Sequence, residues 1–359
     1  MTRRTLVTRR ALVASTALIA AATLVTGCAA VTPAGEASTS PADELRLGYF
    51  ANVTHAPALV GLEQGFFEDA LGDTTLTTEL FNAGPATIEA ISAGAIDAAY
   101  IGPSPAINTF IRSGGASAVV VAGATTGGAA LVVRDGIDSP ADLAGTRLAT
   151  PQLGNTQDVA LRSWLAGEGF ETTTEGSGDV TITPTENADT FALFQSGQLD
   201  GAWLPEPWVS RLVIEGGAHV LLDEAELWED GIFPTTVLLV NKTFLAEHPQ
   251  TVRALLEGHV DAITWLTENP DETAAAINAR LTADTGKALA DDVIAAALTA
   301  VAFSVDPAAD TFPVLVDHAV AAGTGTGGNI DGLFDFGLLN EILRAAGADP
   351  VSAHGLGKE

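Results

Sequence analysis

Cysteine is almost absent from this chain, because Cys28 is the only one among its 359 residues. A single thiol excludes an intramolecular disulfide and a zinc site built on several cysteines. The six histidines are scattered along the sequence without the spacing of metal ligands. We therefore expect neither a metal nor any other cofactor.

Positive charge is also scarce. The chain has 16 Lys and Arg residues against 45 Asp and Glu, which gives a formal net charge of −29 at pH 7. Such a surface repels nucleic acid, so no nucleic-acid partner is expected. The many carboxylates are typical of a solvated surface and single out no pair for acid–base catalysis.

Known signatures of catalysis are missing as well. Residues 102–106 read Gly-Pro-Ser-Pro-Ala and lack the final glycine of a nucleophile elbow. Gly323, Gly325 and Gly328 have the spacing of a dinucleotide-binding loop, but no predicted strand precedes them. The sequence therefore predicts a protein that is not an enzyme.

The N-terminus has the composition of a targeting segment. Four arginines precede an apolar stretch at residues 11–25, which is too short and too rich in Ala and Thr for a membrane-spanning helix. The stretch ends in Val25-Thr26-Gly27-Cys28, which resembles the lipobox of bacterial lipoproteins. We predict a lipoprotein signal peptide at 1–27, a lipid on Cys28 and a disordered tether at 28–44. The protein would then be exported and lipid-anchored on the extracytoplasmic face of the cell membrane; an ordinary signal peptide before a chance cysteine is the alternative.

Beyond the tether, short apolar runs alternate with helical stretches, a pattern that predicts an α/β fold. Strands are expected at 45–50, 98–101, 118–122, 131–133, 147–149, 180–182, 202–204 and 236–240. Helices are expected at 56–64, 85–93, 156–168, 188–195, 271–281, 291–300 and 333–346. Between 252 and 266, apolar residues recur at helical spacing and predict a stripe that faces the core. About 315 residues exceed what one core usually serves, so we expect two lobes.

Two segments repeat a similar pattern. Residues 93–100 and residues 196–203 each combine a helix end at Gly, a turn with Asp and a buried strand. Each strand then enters a proline-containing loop. Because ligands of open α/β sheets bind at the carboxyl ends of strands, the two units are expected to offer these loops to a shared cleft.

Several segments occur in a characteristic order: 63–67, 94–97, 139–145, 151–158, 194–200 and 206–208. This order resembles the periplasmic solute-binding proteins of ABC importers for aliphatic sulfonates, taurine and nitrate. The resemblance implies a type II periplasmic-binding-protein fold, with two α/β lobes joined by two crossing strands, expected near 123–132 and 234–240. Lobe 1 would comprise 45–126 and 236–359, and lobe 2 would comprise 127–235.

The same resemblance implies a function. The chain would be the substrate-binding component of an ABC import system, a monomer that hands an organic sulfonate or another small anion to a membrane permease. Nitrate, taurine and a thiamine-precursor pyrimidine stay open as ligands. Two different classes of function also stay open. One is an enzyme on the same fold, for which His55 would be the candidate catalytic residue, and the other is a receptor-coupled ligand sensor.

The strongest candidate site is the helix start formed by Asn155, Thr156 and Gln157. A helix start offers unpaired backbone N–H groups and the positive end of the helix dipole, which can hold an oxyanion without Lys or Arg. Plain helix capping is the alternative interpretation.

Further candidates follow predicted strands, and two tryptophans are expected to wall the cleft unless they pack in the core. Glu206 is expected to face solvent or to pair with the ammonium of a zwitterionic ligand. The full predicted ligand-binding set is Asn52, His55, Asn82, Gly102, Ser104, Thr125, Asn155, Thr156, Gln157, Trp203, Glu206 and Trp208.

Overall fold

Two β-sheets, each covered by helices, make up the part of the chain that the computed structural model describes, residues 40–359. Cys28, the predicted signal peptide and most of the predicted tether lie outside the described residues. Within them, no helix is long and apolar enough to cross a membrane.

The described residues form thirteen strands and thirteen α-helices. The strands are β1 Glu44–Tyr49, β2 Thr75–Leu80, β3 Ala98–Ile101, β4 Ala118–Gly127, β5 Ala129–Val133, β6 Arg147–Thr150, β7 Thr181–Pro184, β8 Gly201–Pro205, β9 His219–Asp223, β10 Pro234–Asn241, β11 Val301–Phe303, β12 Phe334–Asp335 and β13 Gly357–Lys358. The helices are α1 Ala56–Glu63, α2 Phe66–Leu71, α3 Gly84–Ser92, α4 Pro103–Arg112, α5 Thr156–Gly167, α6 Asn187–Gln195, α7 Trp208–Ile214, α8 Lys242–Glu247, α9 Pro249–Glu268, α10 Pro270–Thr285, α11 Asp291–Thr299, α12 Phe312–Ala321 and α13 Gly337–Ala345.

The larger sheet has the strand order β13-β12-β4-β10-β3-β1-β2, and β11 pairs with β4. The smaller sheet has the order β7-β6-β8-β5-β9. In each sheet most strands are parallel. The antiparallel strands are β10 and β11 in the larger sheet and β5 in the smaller. This arrangement confirms the predicted α/β class.

The chain passes from one sheet to the other twice, between β4 and β5 and between β9 and β10. The first passage is very tight, since only Gly128 separates the two strands. Gly127 and Gly128 have φ angles of +74° and +73°, and a Cβ at Gly127 would lie 2.7 Å from the carbonyl oxygen of Ala300. Only glycine fits here. The division into lobes at 126/127 and 235/236 stays a prediction.

Side chains of both sheets face helices on both sides. In the smaller sheet, Leu131 packs in one buried cluster, whereas its neighbour Val132 packs in another on the opposite face. On α9, the predicted stripe is confirmed, because Val252, Leu255 and Leu266 are buried against the larger sheet. The alternating and helical spacing of apolar residues in the sequence therefore predicted the positions of the main strands and helices correctly.

Some elements differ from the sequence prediction. The helix expected at 333–346 begins only at Gly337, because Phe334 and Asp335 pair with β13 and Phe334 also pairs with β4. The proline-containing loop expected at 102–105 is the first turn of α4, where Pro103 is tolerated because the first N–H of a helix needs no partner.

Candidate functional site

A small cavity lies between the two sheets. Most of its wall follows strand ends: β1, β2 and β3 of the larger sheet, and β6, β7 and β8 of the smaller. This is the place where open α/β sheets bind ligands. The lining residues are Phe50, Asn52, Thr54, His55, Asn82, Gly102, Pro151, Asn155, Thr156, Gln157, Asn187, Pro205 and Thr235.

Five helices begin beside this cavity, since residues at or just before the starts of α1, α3, α4, α5 and α6 line it. At α5, the first residue of which is Thr156, no side chain caps the free N–H groups. Asn155 therefore does not act as a plain cap, and that alternative is wrong. The positive ends of the helix dipoles give the cavity an electropositive wall without a cation.

His55 contributes a neutral N–H donor. Its ring is buried and stacks on Phe50 at 4.3 Å between centroids, and burial lowers its pKa to about 3. The Phe50 backbone N–H donates to His55 Nδ1 at 3.3 Å, so the proton of the neutral ring resides on Nε2. Among the described lining residues, therefore, none carries a charge at neutral pH.

The amide of Asn52 is oriented by Trp208. The Trp208 indole N–H donates to Asn52 Oδ1 at 3.0 Å. Because an indole N–H can only donate, Asn52 must use its oxygen here and keeps its NH₂ group for the cavity.

A short relay orients Gln157. The Gly84 backbone N–H donates to Asn155 Oδ1 at 3.1 Å, and Asn155 Nδ2 donates to Gln157 Oε1 at 2.9 Å. The relay starts at a backbone donor, so its direction is fixed, and Gln157 Nε2 is the group left for the cavity.

Thr156 completes the donor set. Its Oγ1 accepts from the Ser104 backbone N–H at 3.4 Å, which leaves the Thr156 hydroxyl hydrogen free to donate. Gly102 lies so close that a Cβ there would be 2.3 Å from Thr156 Oγ1. Glycine at 102 is required for this contact between the two sheets. We call each sheet, with the loops and helices that follow its strands, the larger-sheet region and the smaller-sheet region.

Of the five predicted site residues that do not line this cavity, Trp208 lines the space beside it, and the other four are buried elsewhere. Ser104 Oγ is buried without a hydrogen-bond partner in the described chain and borders a neighbouring apolar pocket. Thr125 is buried within β4 and also has an unpartnered hydroxyl among residues 40–359. Trp203 is fully buried in the smaller-sheet core, where it donates to Glu224 Oε2 at 2.8 Å. The expectation that Trp203 walls the cleft is therefore wrong, because its side chain points to the core face of β8.

Glu206 is the fourth of these residues, and it does not face solvent as expected. It is buried, and its carboxylate accepts from the backbone N–H and the hydroxyl of Ser210 at 3.1 and 2.9 Å. Burial raises its pKa to about 7, and the charge of Asp223 adds to the increase.

A larger cleft adjoins the cavity, and we call it the outer cleft. The two spaces share Phe50, Asn52, Asn82 and Asn187. Trp208 lines the outer cleft, together with further aromatic and charged side chains. These are Phe81, Phe191, Glu186, Arg211, Glu215 and Lys287.

Sequence reasoning missed several lining residues, among them Asn187 and Thr235. Asn187 begins α6 directly after β7, and its Oδ1 is buried without a partner in the described chain. The rule that ligands bind at strand ends, applied to this strand as well, identifies Asn187. Thr235 lies near the start of β10, for which no comparable signal exists.

Solved structures show the same fold. The alkanesulfonate-binding protein SsuA from Xanthomonas axonopodis pv. citri, bound to MOPS, superposes with a TM-score of 0.66 at 21% identity, covering 79% of this chain and 95% of that one. The nitrate-binding protein NrtA from Synechocystis PCC 6803 gives 0.68 at 17% identity, covering 84% and 89%. The chain therefore has the fold of the periplasmic binding proteins, as its sequence predicts.

Curated relatives agree with these structures. The taurine-binding periplasmic protein of Escherichia coli K12 is 28% identical over 218 residues, 60% of this chain and 64% of that protein. The putative aliphatic sulfonates-binding protein of the same organism is 28% identical over 208 residues, 57% and 62% of the two chains. The match thus spans just under two thirds of either relative. A profile described as the NMT1-like family matches residues 38–282, and the chain belongs to that family.

Proposed function

We propose that this protein is the substrate-binding component of an ABC import system and that it binds a small oxyanion, in the first place an aliphatic sulfonate. One observation carries the proposal: none of the described residues that line the cavity is charged, and His55, Asn52 and Gln157 each keep an N–H group that the contacts orienting them do not use. A sulfonate head group offers acceptors only, so its oxygens match this wall.

Neutral donors suit such a ligand for a physical reason. Hydrogen bonds to a charged partner are about twice as strong as those between neutral groups, and the helix starts add fixed dipoles. A buried Arg would have to lose its hydration as well, at a cost that the ion pair does not always offset. Neutral donors therefore hold the anion without burying a second charge.

The outer cleft supports a ligand with an organic body. Its aromatic side chains, Phe81, Phe191 and Trp208, lie next to the residues shared with the cavity. An apolar tail attached to a sulfonate could contact these rings while the head group stays in the cavity. Nitrate would use the cavity alone, and taurine would place its amine towards the outer cleft; both stay open as ligands. A neutral pyrimidine gains less than an anion from the helix dipoles and from the three fixed donors.

The geometry around His55 also supports a role other than catalysis. The basic nitrogen Nδ1 already accepts from the Phe50 backbone, and the pKa of the ring is lowered to about 3. This imidazole has no free lone pair directed at a ligand, so it is a poor general base. We infer binding without turnover.

Export, anchoring through Cys28 and delivery to a permease belong to the same proposal. Residue 28 lies outside the described part of the chain, so the lipobox sequence is its support. Metabolic labelling with a radioactive fatty acid tests it: the wild type should incorporate label and Cys28→Ala should not.

The ligand is tested by calorimetry and thermal shift with methanesulfonate, taurine, nitrate and a thiamine-precursor pyrimidine. We expect methanesulfonate to bind and to raise the melting temperature. His55→Ala should weaken binding by about 2 kcal/mol, the scale of a hydrogen bond to a charged group. His248→Ala, at the remote end of α8, is the matched control and should leave affinity unchanged. Binding of the pyrimidine but of no oxyanion would refute the proposal.

A further inference from the structure

Building on the proposed anion-binding function, we propose that hydrogen bonds between the two sheet regions fix the orientation of two side-chain amides. Each region supplies an N–H group that occupies the oxygen of an amide in the other region, so that an NH₂ group is left to bind the ligand. The set of three donors at His55, Asn52 and Gln157 then exists only while the two regions are in contact. In this proposal Trp208 and Asn155 are positioning residues that determine specificity through Asn52 and Gln157.

The first cross-region link runs from the larger-sheet region to the smaller. Gly84, at the start of α3, donates its backbone N–H to Asn155 Oδ1. Asn155 Nδ2 in turn donates to Gln157 Oε1, which fixes the orientation of the Gln157 amide. Close packing makes this contact possible, because a Cβ at Gly84 would lie 2.3 Å from Pro105 Cγ and 3.1 Å from Asn155 Oδ1.

The second link runs in the opposite direction. Trp208 begins α7 after β8 of the smaller sheet, whereas Asn52 follows β1 of the larger. The indole N–H of Trp208 occupies the amide oxygen of Asn52 at 3.0 Å. Each region therefore supplies an N–H that only donates, and each receives one from the other.

Separation of the two regions would release both amides. A primary amide has an oxygen and a nitrogen of nearly equal size, so a half-turn converts a donor into an acceptor in the same space. His55 behaves differently, because the N–H that fixes its polarity comes from Phe50 in its own region. Contact between the regions thus adds two fixed donors to one that is permanent.

The consequence is selectivity by hydrogen-bond polarity as well as by charge. A head group with only acceptors matches all three donors, whereas a head group with an N–H leaves two donors facing each other. When an amide is free to turn, it can accept from that N–H, and the discrimination decreases.

The test uses methanesulfonate and methanesulfonamide, which have similar size and differ by one NH₂ in place of an oxygen. The readout is the dissociation constant of methanesulfonamide divided by that of methanesulfonate. It is measured in the wild type, in Trp208→Phe and in Asn155→Leu. Trp208→Phe keeps an aromatic ring without the N–H, and Asn155→Leu keeps the volume without the amide. We expect each variant to lower the ratio about tenfold, because sulfonate binding weakens while sulfonamide binding is kept.

Trp164→Phe is the matched control, since Trp164 packs on Trp203 in the smaller-sheet core, and its ratio should equal that of the wild type. Equal weakening of both ligands in Trp208→Phe and Asn155→Leu would mean that these residues only support the structure, and would overturn the inference. The proposed function would survive that result. Failure of the wild type to bind any oxyanion would instead overturn both.

Discussion

The inner cavity and the outer cleft share four residues, yet their chemistry is opposite. Among the described residues, the cavity has no charged side chain, whereas the outer cleft has Arg211, Lys287, Glu186 and Glu215. Arg211 is held between the rings of Phe191 and Trp208, at 4.6 and 4.7 Å from their centroids, and pairs with Glu215 at 3.0 Å.

This difference indicates that charged side chains and neutral donors contribute to different steps of ligand binding. In the outer cleft, water screens the charged side chains and Arg211 is paired with Glu215, so Lys287 is the cation that can attract an anion without holding it tightly. In the cavity, where no described lining residue is charged, fixed neutral dipoles select the ligand instead. The outer cleft therefore attracts the anion, and the adjoining cavity selects it.

The largest effect is expected when a charge is placed inside the cavity. Gln157→Glu replaces a buried donor by a carboxylate beside the bound anion, and we expect the affinity for methanesulfonate to decrease by more than about 100-fold, or ~3 kcal/mol. Isothermal titration calorimetry measures it. Gln198→Glu, on an exposed turn, adds the same charge far from the site and should change affinity less than about twofold. Similar losses in both variants would show that net charge, and not the cavity, controls binding.

A smaller effect is expected from Glu206, which lies next to Pro205 of the cavity wall. Its pKa is raised to about 7, so the carboxyl is mostly neutral at pH 6 and ionised at pH 8. Methanesulfonate stays ionised throughout, and its affinity should therefore fall about threefold as pH rises from 6 to 8. The same protonation favours the folded state at acidic pH, and that stabilisation is lost as pH rises through about 7.

The variant Glu206→Gln isolates this cause. Its affinity should be constant from pH 5 to pH 8, because His55, with a pKa lowered to about 3, stays neutral over that range. If affinity still increases below pH 6 in Glu206→Gln, a protonated histidine takes part and the neutral cavity is contradicted.

The smallest effect is expected in the outer cleft. Lys287 is exposed, so Lys287→Met should reduce the association rate about twofold at low salt and leave the equilibrium affinity within about twofold. The difference should vanish at about 1 M salt, where charges are screened beyond ~3 Å. Stopped-flow measurements at both salt concentrations provide the test, with the exposed Lys358→Met as control. A large salt-independent loss of affinity would place Lys287 in direct contact with the ligand.

The sequence predicted the general position of the site better than its details. Strand ends and helix starts are local features, and they identified His55, Gly102 and Thr156 among the residues that line the cavity. Trp203 and Trp208 lie five positions apart after similar signals, but one packs in the core and the other lines the outer cleft. Trp203 lies on β8 with its side chain on the core face, whereas Trp208 begins α7. The short motif does not fix either position.

The polarity of the amides could not be predicted from sequence at all. It depends on partners 71 residues apart for Gly84 and Asn155, and 156 residues apart for Asn52 and Trp208. The shortest strands, β12 and β13, were missed for a different reason. Two residues are too few to show the alternation by which a strand is recognised.

The position of Trp208 has a consequence for how the protein can be studied. The other tryptophans, Trp164, Trp203, Trp228 and Trp265, line neither the cavity nor the outer cleft. Indole emission responds to hydrogen bonding and to nearby charge, and Trp208 has both in Asn52 and Arg211. With phenylalanine at the four other positions, the intrinsic fluorescence of this single residue would follow the meeting of the two regions in real time, without an attached dye.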